Sequence, residues 1–161
     1  MAAVDYFLKL DGIKGESADA KHKDEIDIES FSWGMTQSAA QATGGGAGAG
    51  KVSLQDFHFV MRFNQASPSL MKSCATGQHI KLATLTCRKA GKDQQEFLTI
   101  KFSDVLVSSY QTGGSEGSDV PFDQVSLNFA KIEAEYKRQQ PDGKLAPGGQ
   151  FGFDLKSNKA L

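Results

Sequence analysis

In segment after segment of this chain, apolar side chains recur at every second residue. That spacing puts them on one face of an extended strand, so the chain is constrained to build sheets. Val4, Tyr6, Leu8 and Leu10 share a face of a first strand that ends at Asp11-Gly12. Ile26 and Ile28 occupy even positions, whereas Phe31, Trp33 and Met35 occupy odd ones, which predicts a bulge or sharp bend near Glu29-Ser30. Val52 and Leu54 are followed in the same way by Phe57, Phe59, Met61 and Phe63 on the other parity. Ile80, Leu82, Leu85 and Cys87 read as a further strand, closed by the turn-like Arg88-Lys89-Ala90-Gly91. Leu98, Ile100, Phe102 and Leu106 fall on one side of the next.

Two stretches are less regular. Val125, Leu127 and Phe129 alternate cleanly, then Ile132, Ala134 and Tyr136 continue out of phase. The second half, KIEAEYKR, has helix-forming composition, but its alternation favours one long bent strand over a helix. A last strand, 151–155, is expected after a Gly/Pro-rich turn over 141–149. One helix stands out at about 68–77: Ser67 offers a capping hydroxyl, Pro68 suits the first helical position, and Gly77 suits the end. Strands, one helix and strands again read as an all-β sandwich or barrel with a helical insertion. The 161 residues fit a single domain, and eleven phenylalanines supply its large core pieces.

Charge and cysteine content exclude several functions. Eighteen basic residues against nineteen acidic ones give a net charge of −1 with the signs interspersed. Nucleic-acid binding would call for a basic stripe, so none is expected. No segment approaches the apolar length of a membrane span, so no membrane insertion is expected. Asp5 and Lys9 interrupt the N-terminus before a signal-peptide core could form, so any export would not use such a signal. Cys74 and Cys87 are too few for a disulfide framework and are expected to be reduced, buried thiols.

The motifs that might carry chemistry are incomplete. Gly45 to Lys51 matches G-x-x-x-x-G-K, yet Val52 stands where a magnesium-binding Ser or Thr should, and a strand follows where a helix should. Gly44, Gly46 and Ala49 match the dinucleotide fingerprint without a βαβ unit around them. A long hairpin loop accounts for the glycines better than a nucleotide site does. His22, His58 and His79 lack metal-ligand spacing, and His58 has outward parity between Phe57 and Phe59. No nucleophile elbow is present. The expectation is no catalytic set, no metal and no cofactor.

The order and spacing of several stretches carry more. Tyr6 to Leu10, Gly15 to Ser17, Ser32 to Met35, Gly44 to Lys51, Ser67 to Leu70, Arg88 to Gly91, Val105 to Ser109 and Asn128 to Ala130 together resemble the Hcp family, the tube protein of the bacterial type VI secretion system. The resemblance covers nearly the whole chain, 1–161. It implies a compact β-barrel of two packed antiparallel sheets with one short helix and a long Gly-rich hairpin loop, about 36–51. It also implies homohexameric rings stacked into a hollow tube, a contractile sheath, a VgrG-type spike, and small effector proteins carried in the lumen. The protein would reside in the bacterial cytoplasm before firing and be secreted afterwards without a cleaved signal peptide.

On that reading the loop Gly44, Gly45, Gly46, Ala47, Gly48, Ala49, Gly50 and Lys51 is a candidate for ring stacking, since it offers close backbone approach. Ser32, flanked by Phe31 and Trp33, must face outward if those rings face the core, and is a candidate lumen contact. Ser115, in Thr112-Gly113-Gly114-Ser115, resembles part of the family's lumen-lining region and is the second. Two rival functions remain. A stand-alone secreted β-sandwich binding module would want a surface aromatic cluster, and a small hydrolase would want a catalytic set.

Overall fold

The computed structural model describes residues 3–38, 51–91 and 93–161. The described residues form the strands β1 (Val4–Leu10), β2 (Ile26–Asp27), β3 (Ser30–Ser32), β4 (Met35–Gln37), β5 (Val52–Leu54) and β6 (Phe57–Arg62). The helix α1 (Ala66–Thr76) follows, then β7 (His79–Lys89), β8 (Glu96–Gly113), β9 (Phe122–Asn128), β10 (Lys131–Gln139), β11 (Leu145–Asp154) and β12 (Lys159–Ala160). β8 organises the rest. Its first half pairs with β7 and β10, and its second half pairs with β9. Two antiparallel sheets therefore share it: β12–β11–β10–β8–β7–β1–β2, and β3–β6–β9–β8.

On the side away from β8 the sheets are joined by the bend expected near Glu29-Ser30. Ile28 N–H donates to the Tyr6 carbonyl at 3.2 Å, and Glu29 N–H donates to the Val60 carbonyl at 2.8 Å. Backbone pairing thus passes from one sheet to the other around a common core. Phe57, Phe59 and Met61 are fully buried there with Leu8, Leu85, Phe102, Val125, Leu127 and Ile132. Phe57 is central, with ring centroids 5.8, 5.9 and 4.7 Å from Phe31, Phe59 and Phe102. Burying each such ring contributes about 1.5–3 kcal/mol.

Several expectations needed correction. On β8, Leu98, Ile100 and Phe102 face the core as expected, but Leu106 falls on the other face. Asp104 has φ +54°, and beyond it the buried residues are Val105 and Val107. β7 changes phase opposite, with Ile80 buried on one parity and Ala83, Leu85 and Cys87 on the other. Arg88 is not a turn residue but lies within β7, 3% exposed. The region 120–138 holds no helix and two strands, β9 and β10, which enter different sheets. Pro147 to Gly149 lie inside β11 rather than in a turn, because that part of β11 pairs only with β10 and the other edge needs no donor. Met35 belongs to the separate ribbon β4–β5 and Phe63 follows the end of β6, so both are exposed.

The helix begins two residues earlier than expected, and Ser67 is not its cap. Gln65 occupies the cap position without a side-chain bond there, and Asn64 just before it supplies one: its Oδ1 accepts the Ala66 N–H at 2.8 Å, and Ser67 Oγ accepts the Asn64 N–H at 3.0 Å. Ser67 Oγ also donates to buried Asp123 at 2.6 Å, fastening the helix start to β9. Gly77 ends the helix at φ +70°, as expected.

Residues 11–25, between β1 and β2, are fastened by polar contacts. Arg88 donates to both carboxylate oxygens of Asp19 at 2.9 Å and to Asp5 at 3.1 Å. Its guanidinium lies 4.7 Å from the Phe7 ring centroid, and Phe7 stacks on His22 at 4.3 Å. His22 in turn lies 2.9 Å from Glu25 and 2.6 Å from Glu96.

Candidate functional site

Alternation in the four-stranded sheet sends its aromatic and aliphatic residues to the core, so the polar residues between them form the outer face. Cross-strand register lines them up. Ser32, His58, Ser126 and Ser109 make one row across β3, β6, β9 and β8. Ser30, Val60, Gln124 and Gln111 make the next. The side chains are short, and most of them are neutral hydrogen-bonding groups. Sequence reasoning placed Ser32 on this face correctly: it is exposed and sits opposite His58.

A bulge keeps the row in phase. Val107 pairs with Leu127 facing inward, and the register then slips so that Ser109 faces Ser126. The extra residue, Ser108, donates to Asp56 at 2.6 Å, and Asn128 donates to the other oxygen of the same carboxylate at 3.0 Å. At the other end of β6, Arg62 lies 3.5 Å from Glu29 and 5.9 Å above the Phe122 ring. Asp56 and Arg62, the charged side chains of β6 and its approach on this side, are thus both engaged.

Ser115 lies in the turn beyond β8, exposed, with its hydroxyl 3.1 Å from that of Ser118. It rims a shallow depression shared with Gln111, Gly113, Phe122 and Gln124. Two of these belong to the second row, so Ser115 adjoins the same face as Ser32. The two serines do not touch. Ser115 is six residues past Ser109, roughly 20 Å if the chain stayed extended. Of the loop candidates, Gly44 to Gly50 lie outside the described residues. Lys51 is exposed at the base of the β4–β5 ribbon, and its carbonyl accepts bonds from Ser38.

His58 Nδ1 lies 3.1 Å from Ser126 Oγ, the approach a base makes to a nucleophile. Catalysis asks for a third group to orient the imidazole and for donors to an oxyanion. Among the described residues His58 has no second side-chain partner, and the pair is half-buried on the outer face of the sheet. Tyr110 lies beneath this face with its hydroxyl buried, and burial pushes that phenol up to about 12. Trp33 is half-buried, so it does not form the exposed aromatic platform of a sugar-binding module. Sequence reasoning missed Ser109 and Ser126. Their signal was the parity of Val125 and Leu127 and a bulge that no residue type announces.

Known proteins give the fold a context. A family profile described as "Type VI secretion system effector, Hcp" matches residues 7–136. The chain is 45% identical to protein hcp1 of Pseudomonas aeruginosa over 158 residues, 97% of this chain and 98% of that one. It is similar to the crystal structure of Hcp1 from Salmonella typhimurium at TM-score 0.82 and 37% identity, covering 99% of this chain and 100% of that one. A structure described as a type six secretion system protein matches at TM-score 0.91 and 31% identity, with the same coverage.

Proposed function

The chain belongs to the Hcp family of the type VI secretion system, and from that premise we propose that it is the structural tube protein of such a system. Six copies close into a ring, and rings stack into a hollow tube. A contractile sheath expels the tube beneath a VgrG-type spike, and small effector proteins ride in its lumen. The protein is made in the bacterial cytoplasm and leaves without a cleaved signal peptide. The observation that carries this reading is the match to hcp1 of Pseudomonas aeruginosa over 97% of this chain and 98% of that one. The role is structural, not enzymatic.

The polar outer face of the four-stranded sheet is the bore wall in this proposal, with Ser32 and Ser115 as cargo contacts. Hydroxyls exchange hydrogen bonds with water at little net cost and present little apolar area, so cargo is held without being trapped. The Gly44–Lys51 loop packs ring against ring. Mass photometry at micromolar concentration tests the ring: six subunits are expected, and a persistent monomer would overturn it. Replacing Gly46 and Gly48 with bulky residues should leave the ring intact while reducing tube formation and secretion. Ser32→Gln combined with Ser115→Gln should leave rings intact and lower co-purification of effectors. Unchanged recovery would remove these two serines from the bore.

A further inference from the structure

Residues 11–25 form a strap laid against Phe7 of β1, and backbone bonds within the strap fold it. Gly15 N–H donates to the Asp24 carbonyl at 2.7 Å, Asp24 N–H to that of Ser17 at 2.9 Å, and Ser17 N–H to that of Glu25 at 3.0 Å. Three other parts of the fold fasten the strap. Gln65, ahead of α1, donates its backbone N–H to Glu16 at 2.8 Å and its side-chain amide to the Gly15 carbonyl. Arg88 of β7 holds both carboxylate oxygens of Asp19. Glu96 of β8 meets His22.

The third tie differs from the others in its chemistry. His22 is 7% exposed, yet each ring nitrogen faces a carboxylate. Nδ1 lies 2.9 Å from Glu25 Oε2, and Nε2 lies 2.6 Å from Glu96 Oε1. A carboxylate can only accept, so both contacts are hydrogen bonds only when both nitrogens carry protons. A neutral imidazole has one N–H and leaves the other carboxylate facing a lone pair. Charged groups reach this cluster from every element around it. β1 brings Asp5, β7 brings Arg88, β8 brings Glu96, and the strap itself brings Asp19 and Glu25. Lys21, Lys23 and Asp24 flank His22 in sequence but are exposed. Four carboxylates thus surround one guanidinium and one imidazole, and the cluster is short of positive charge. Asp27, on neighbouring β2, feels the same excess: burial first, and then Asp5, Asp19 and Glu29, raise its carboxyl above the usual range.

We infer that His22 is a proton-operated tie: with two ring protons it joins the strap to β8 through Glu96, and on losing one it lets that junction open. Burial decides which side opens. The Glu25 side chain is 13% exposed and that of Glu96 41%. The remaining N–H therefore stays on Nδ1 toward Glu25, and Glu96 turns to water. The tie to β7 does not follow, because a guanidinium is always protonated and its hydrogen bond holds the Asp19 carboxyl well below the usual carboxylate range. Among the side chains that fasten the strap, imidazole is the one whose charge ordinarily changes between pH 5 and 8. The contribution of the His22 tie is complete on the acid side of that range and is lost as pH rises. The strap then stays on β7 and loosens at β8. The device belongs to the single chain and does not rest on the ring reading.

Hydrogen–deuterium exchange of the full chain at pH 6.0 and 8.5, corrected for chemical exchange rates, tests the tie. Protection of the wild-type strap amides should fall roughly tenfold between the two. Glu96→Gln should hold the strap equally at both, since an amide accepts from a ring N–H and donates to a bare ring nitrogen. Asp19→Asn should lower protection by the same factor at both, because the tie it removes does not titrate in this range. Nitrogen shifts of the His22 ring, assigned with His22→Gln, should show two protonated nitrogens at pH 6.0 and Nδ1 alone at pH 8.5. Unchanged protection in wild type, a pH difference that survives Glu96→Gln, or a singly protonated ring at pH 6.0 would each overturn the inference.

Discussion

Arg88 shows how one residue can be misread locally and explained only by its surroundings. Arg88-Lys89-Ala90-Gly91 reads as a turn, yet β7 runs through Arg88 and seats its guanidinium between Asp19, Asp5 and the Phe7 ring. The hydrogen bond from Arg88 holds the Asp19 carboxyl down at about 2, and in the unfolded chain it returns to the ordinary carboxylate range. Ionised Asp19 therefore stabilises the fold fully above that range, and its contribution fades as pH falls from about 4 toward 2. Thermal unfolding of wild type and Asp19→Asn should differ clearly at pH 7 and converge near pH 2. A gap that stays constant with pH would contradict this account. The thiols diverge in a similar way. Burial pushes Cys87 up to about 12, while Cys74, expected to be buried, is only half-buried on the helix. Thiol titration of native protein should find Cys74 reacting first and Cys87 silent until denaturant is added.

At the scale of elements, local rules hold where neighbours in sequence are also neighbours in space. Gly77 ends α1 in a left-handed conformation that any Cβ would strain, although the space around it is open. Gly77→Ala should cost about 1 kcal/mol through backbone conformation alone. Asn64→Ala should cost a similar ~1 kcal/mol by uncapping Ala66. Urea titration of each variant checks both values, and a shift in midpoint without a change in slope is the expected form. The start of the helix was legible less accurately than its end. Ser67 has the right chemistry for a cap, but Asp123, fifty-six residues away in sequence, claims its hydroxyl. The bend of β8 at Asp104 was likewise hidden, because nothing in Lys101 to Val105 marks a reversal of parity.

At the scale of the molecule, both sheets share one core, so unfolding should be a single event. Phe57→Ala removes a ring that touches residues from both sheets and should cost about 3–5 kcal/mol. Far-ultraviolet dichroism and Trp33 fluorescence should report the same shifted midpoint, and separated transitions would mean that the sheets unfold independently. Alternation by itself determined that this chain is built of strands around phenylalanine, where it bends near Glu29, and that His58 and Ser32 face away from the core. These follow because side-chain direction in a strand depends only on counting along the chain. Strand order, the sharing of β8 between two sheets, the bulge at Ser108 that brings Ser109 beside Ser126, and the exposure of Tyr136 and Phe151 were decided by tertiary structure alone. Each depends on which distant strands pair and in what register, and period-two alternation is the same for every pairing partner.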